Sequence, residues 1–136
     1  MGLDMYAYRH KGERIDHETD REKLEGTERE PIQFADWRKH NRLQGFMQEI
    51  YDKQSGYHDM QGFNCVPLYL SREDLDRLEE AIRSRTLPET AGFFFGQDSY
   101  TWEGEQEDLK ATDLKFVADA KKYLNEGFEV FYECWW

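Results

Sequence analysis

Trp37, Asn41, Gln44 and Gln48 follow one another at i, i+4, i+7 and i+11. On a helix these four side chains would lie along one flank. An aromatic ring beside three amides can stack a flat ligand and hydrogen-bond its edge. The same spacing also describes a boundary stripe, with Trp37 half-buried and the amides solvated. Arg38 and Lys39 sit at the start of the same segment. Cations are disfavoured at a helix N-terminus. Two there suit an anion held jointly by the side chains and the free N–H groups, or pairing with Asp36 or Glu30.

Asp4 interrupts an otherwise apolar stretch. If its face is covered, the carboxylate needs a partner, and Arg38 or Lys39 is available for a buried structural ion pair. A catalytic carboxylate is the sharper alternative. His10, Asp16, His17, Glu18 and Asp20 are metal-ligand types, but their spacing fits no metal motif. His40 and His58 have no evident nucleophile partner. There is no Gly-x-Ser-x-Gly turn and no phosphate-binding glycine loop. No metal and no cofactor are expected.

Leu87-Pro-Glu-Thr-Ala-Gly-Phe-Phe-Phe-Gly96 is the most distinctive stretch. Three consecutive phenylalanines cannot make a one-faced strand. They are buried on both faces or present an aromatic surface. Gly92 and Gly96 permit tight turns around them.

These residues need a scaffold, and composition bounds it. The chain has 136 residues, which suits one domain spanning 1–136. Apolar residues make up 38%, yet aromatics reach 15%, enough for a core of few, large side chains. The formal net charge of −11 argues against general binding to nucleic acid or anionic membrane, and permits a basic partner protein. No apolar run approaches the length of a membrane span, and no secretory signal opens the chain. A cytoplasmic location is expected, with Cys65 and Cys134 as two reduced, buried thiols. A disulfide joining them is the alternative.

Gly2–Tyr8 reads as a strand, with Leu3, Met5 and Ala7 on one face and Asp4, Tyr6 and Tyr8 on the other. Residues 10–30 are almost wholly polar and read as a mobile or loosely helical insertion, with Ile15 and Leu24 its only anchors. A helix is expected from about Asp36 to Lys53, burying Leu43, Phe46, Met47, Ile50 and Tyr51. Phe63–Leu70 reads as an edge strand, because Pro67 cannot donate to a ladder. Ser71 caps a second helix through the N–H of Asp74, with Leu75, Leu78 and Ile82 inward. Phe93–Phe95 reads as a short strand. A third helix spans Glu107–Asn125, stopped by Gly127, and Phe128–Trp136 is the last strand. The expected fold is α+β: a small, mostly antiparallel sheet with the N- and C-terminal strands central and adjacent, and about three helices packed on it.

The opening Met1-Gly-Leu-Asp-Met-Tyr6 resembles that of a family of small, mostly uncharacterised proteins from bacteria and their phages. A Trp-Arg-Lys-x-Asn block is matched by Trp37, Arg38, Lys39 and Asn41. A Leu-Pro-x-x-x-Gly-Phe-Phe-Phe-Gly block is matched by Leu87, Pro88, Gly92, Phe93, Phe94, Phe95 and Gly96. Further landmarks are matched by Tyr100, by Asp108, Leu109, Lys110 and Thr112, and by Tyr132 with Trp135 and Trp136. Relatives often carry His on the first helix where Gln44 stands here. The resemblance implies a phage or prophage accessory protein.

The matched landmarks mix polar and aromatic types, which suits recognition. The leading expectation is a non-enzymatic binding protein for a small anionic or nucleotide-like ligand or a host protein, such as an inhibitor of host defence. Trp37 and Tyr100 would stack, Arg38 and Lys39 would meet negative charge, and Asn41 and Gln44 would read polar edges. Asp4 and Phe94 complete the candidate set. One alternative is a small hydrolase or transferase acting on a phosphorylated ligand, with Asp4 as acid or base. Another is a structural module whose aromatic loop makes an oligomer contact. All versions require the helix flank and the glycine-bracketed rings to meet in one concavity.

Overall fold

The computed structural model describes residues 3–15, 23–38, 40–56, 62–88 and 105–135, with the side chains of 105–109 excepted. In chain order the elements are β1 (Asp4–His10), β2 (Ile32–Arg38), α1 (Asn41–Ser55), β3 (Leu68–Tyr69), α2 (Arg72–Ser84), α3 (Glu105–Asn125) and β4 (Glu129–Trp135). The four strands form an antiparallel sheet in the order β2-β1-β4-β3. The N- and C-terminal strands are therefore adjacent and central, as their apolar content requires. Among the described residues, no helix is long and apolar enough to cross a membrane.

The period of two in β1 sorts its side chains cleanly. Leu3, Met5 and Ala7 are fully buried against the helices, and Asp4, Tyr6 and Tyr8 turn to the opposite face. β4 does the same: Val130, Tyr132 and Cys134 join the core, while Phe131, Glu133 and Trp135 point away from it. The helices contribute Leu43, Met47 and Ile50 from α1, Leu75, Leu78 and Ile82 from α2, and Phe116, Val117 and Ala120 from α3. Phe46, Tyr51 and Leu124 are only partly buried around that cluster.

The chain between Ile32 and Arg38 departs from expectation. It was expected to enter a helix at about Asp36, but it is strand β2, paired with β1 through Met5↔Trp37 and Tyr6↔Asp36. The register shifts between Ala7 and Tyr8, and this bulge inserts one extra residue into β2. Phe34 and Ala35 consequently both pack toward the core, so Phe34 and Trp37 take the i, i+3 spacing that mimics a helix. α1 begins only at Asn41 and ends at Gly56, whose φ of +85° a side chain would strain.

α2 forms as expected. Ser71 Oγ accepts from the N–H of Asp74 at 3.1 Å, and the Asp74 carboxylate accepts from the N–H of Ser71 at 2.9 Å, a reciprocal capping box. β3 lies at the sheet edge beside Pro67, but it is only Leu68–Tyr69 rather than 63–70, because 62–65 forms turns. Cys65 sits in one of those turns at φ +63° and is exposed, which corrects the expectation of two buried thiols. Cys134 is buried, and both thiols are free. The expected Phe93–Phe95 strand lies outside the described residues.

Candidate functional site

Two buried polar clusters pin the sheet to its helices. In the first, Asp113 on α3 receives two donors. Trp37 Nε1–H donates to Oδ1 at 2.9 Å and His40 Nε2 to Oδ2 at 2.8 Å. A carboxylate only accepts, so the hydrogen in the second bond belongs to His40. The side chains of His40 and Asp113 are 0% and 1% exposed. This cluster joins the end of β2, the start of α1 and the middle of α3. The Trp37 ring is held edge-on to Phe116, with centroids 4.9 Å apart.

In the second cluster, Gln44 bridges two inward residues of β4. Tyr132 Oη donates to Gln44 Oε1, and Gln44 Nε2 donates to Cys134 Sγ at 3.3 Å. The Cys134 thiol reaches the carbonyl of Phe63 at 3.6 Å. Burial pushes the Tyr132 hydroxyl well above its usual range, and the neighbouring Cys134 pushes it further. Burial also pushes the Cys134 thiol up to about 12, against a smaller lowering by the Gln44 hydrogen bond. Neither group ionises at neutral pH.

These contacts account for Trp37 and Gln44 among the residues singled out from sequence. Trp37, Asn41 and Gln44 do not share one helix flank, because Trp37 is on β2. All three are buried, at 5%, 3% and 1% exposure. Gln48 is also buried, and its amide donates to Asp52 Oδ1 at 2.9 Å. Lys39, Phe94 and Tyr100 lie outside the described residues, as does the convergence of the glycine-bracketed rings with α1. Sequence reasoning saw no partner for His40 and missed Asp113, which supplies one. Asp113 follows directly on the Asp-Leu-Lys-x-Thr landmark, and that adjacency was the available signal.

Asp4 and Arg38 do come together. They are cross-strand partners on the sheet face away from the core, with Arg38 Nε 3.9 Å from Asp4 Oδ1. The pair is not the buried one expected, because the side chains are 74% and 31% exposed for Arg38 and Asp4. Across β1, Asp4 faces Trp135 and Tyr6 faces Glu133; toward β2, Tyr6 faces Asp36. Trp135 is 59% exposed, an unusual state for so large an apolar side chain. Asp4, Tyr6, Asp36, Arg38 and Trp135 thus form one contiguous surface patch.

The far end of that face is closed. Tyr69 Oη accepts from the N–H of Ile15 at 2.6 Å and bonds His10 Nε2 at 2.8 Å. His10 Nδ1 lies 3.2 Å from the Lys11 carbonyl. The carbonyl fixes the hydrogen on Nδ1, so Nε2 accepts from the tyrosine. Arg14 lies over the Tyr69 ring and bonds Glu129 at 3.2 Å. Residues 11–15 therefore fold across His10, Tyr69 and Phe131, with Ile15 buried as their anchor. The candidate ligand His10 is structural here. Asp16, His17, Glu18, Asp20 and His58 lie outside the described residues, and the described ones contain no cluster able to hold a metal.

No protein-family model, curated protein or solved structure matches the chain.

Proposed function

We propose that the chain is a phage- or prophage-type accessory binding protein that engages a basic host protein, as an inhibitor of host defence would. The observation that carries this reading is the exposed Trp135 beside Asp4 on the outer face of a central strand. Tryptophan is enriched among residues that dominate protein interfaces. Around it, Tyr6 adds a second amphipathic ring, and the carboxylates of Asp4 and Asp36 outnumber the single guanidinium of Arg38. The net charge of −11 points the same way, because it draws a cationic partner from a distance. The polar atoms of Trp37 and Gln44 are engaged with Asp113, Tyr132 and Cys134, so the outer face supports recognition better than the α1 flank does.

Capture from host lysate tests the reading when wild type is compared with a variant carrying Trp135→Ala and Asp36→Lys. Both positions are exposed, so the fold should persist. A host protein retained by wild type, released by added salt and lost with the variant supports the proposal. Equal retention by both proteins refutes this surface.

A further inference from the structure

The direction of each backbone group in the sheet follows from two bonds at its β3 side. The carbonyls of Cys134 and Val130 accept from the N–H groups of Cys65 and Leu70, at 2.8 and 3.0 Å. Even-numbered residues of β4 therefore aim their backbone at β3, and odd-numbered ones aim at β1, because the direction alternates along an antiparallel strand. Phe131, Glu133 and Trp135 then bond Tyr8, Tyr6 and Asp4. Met5 and Ala7 are left to bond Trp37 and Ala35 on β2. The backbone N–H and C=O of Asp36 and Arg38 must accordingly point outward, from the side of β2 that has no strand partner among the described residues.

The two sides of that edge differ in chemistry. On the outer face the edge strand presents Asp36, opposite Tyr6, and Arg38, which is paired with Asp4 of β1. On the helix side lies a cleft of about 160 Å³ between β2 and α3. Phe34 and Phe116, stacked at 5.7 Å, line it with Ala35, and Asp36, Thr112, Lys115 and Asp119 are its polar lining. Lys115 is paired with Asp119 at 3.2 Å, so the cleft offers mainly apolar surface to an incoming side chain.

We infer that an extended basic segment of the partner adds to the outer edge of β2 as a fifth strand, with alternate residues basic and apolar. Its backbone would bond Asp36 and Arg38. Side chains opposite Asp36 would lie on the outer face, where lysine or arginine meets the Asp36 carboxylate, with the Tyr6 ring beyond it on β1. Their neighbours would point to the helix side, where an aliphatic side chain fills the Phe34–Phe116 cleft. This deepens the proposed function and rests on it, since it assigns the partner's conformation and pattern.

The test uses the full chain and a short, end-blocked peptide of alternating lysine and valine. Amide exchange is read residue by residue by NMR, beside the affinity for Arg38→Ala and Arg38→Pro. Removing the Arg38 charge favours a cationic peptide, so Arg38→Ala should bind at least as well as wild type. Proline removes the same charge but also deletes the outward N–H, without touching the ladder to β1. The inference expects slower exchange at Asp36 and Arg38 with peptide, and at least a roughly tenfold weaker affinity for Arg38→Pro than for Arg38→Ala. Equal binding by the two variants, with Asp36 unprotected, overturns strand addition. If that binding is still salt-sensitive, the basic-partner reading survives on its own. Protection of the same amides without peptide, growing with protein concentration, assigns the edge to a second copy and overturns the inference.

Discussion

His40 and Asp113 stand 73 positions apart in the chain and meet at 2.8 Å with both side chains withdrawn from water. The same carboxylate holds the Trp37 indole, so one aspartate on α3 ties together β2 and α1. This junction sets where the strand stops and the helix starts.

Asp113→Ala should be the most damaging single change of this kind. It leaves the Trp37 and His40 N–H groups buried without their acceptor, at a cost of about 3–5 kcal/mol. Asp113→Asn keeps an acceptor for one donor but sets an amide N–H toward the other, and should cost less than Asp113→Ala. Urea denaturation of the three proteins at neutral pH measures both differences. Equal midpoints would remove the junction from the account of stability.

The two cysteines should separate by reactivity. Burial raises the Cys134 thiol to about 12, while Cys65 is exposed. A thiolate is the reactive form. An alkylating reagent at about pH 8 should modify Cys65 in the native protein, and both residues only in denaturant; peptide mass spectrometry reads the sites. The shift also carries a sign for stability. The native state favours the protonated thiol, so this contribution is complete below the unfolded value of about 8.5 and is lost as pH rises toward 12.

Lys121 on α3 bridges Asp76 and Glu79 on α2, at 2.6 and 3.5 Å. Lys121→Met should lower the denaturation midpoint at neutral pH, with pH as the diagnostic. The hydrogen bond from Lys121 holds the Asp76 carboxyl below its usual range. Its contribution is present above about pH 4 and is lost as pH falls through the lowered native value. The same bond raises the Lys121 ammonium, so its contribution is present below about pH 10.5 and is lost above that. The gap between variant and wild type should therefore narrow at both extremes. A gap independent of pH would mean that Lys121 acts through the packing of its stem.

Trp135→Ala separates recognition from folding. The side chain is 59% exposed, so stability should change by no more than about 0.5 kcal/mol. Binding of the captured host protein should weaken by about 2 kcal/mol or more, as for an aromatic interface anchor. Thermal unfolding and titration calorimetry on the same samples give both numbers. A large loss of stability would instead make Trp135 part of the core.

The sequence alone determined those parts of the protein that local rules govern. Ser71 and Asp74 announce a helix start, because a cap is satisfied within one turn. The period of two in residues 3–8 sorts β1 into two faces whatever it pairs with. The apolar character of β1 and β4 made them central, because both of their edges need covering. Asp4 and Arg38 were legible as candidate partners because an acid in an apolar strand calls for a cation.

Tertiary structure decided what depends on distant partners. β2 is a strand because β1 offers it a ladder, and the helical spacing of Trp37 with Asn41, Gln44 and Gln48 runs across the end of that strand into the following helix. Trp37 and Gln44 turn inward because Asp113, Tyr132 and Cys134 wait there, contacts spanning 76, 88 and 90 positions that no local pattern encodes. Trp135 stays in water because the described helices pack on the other face of the sheet, and that choice of side is made only when the layers assemble.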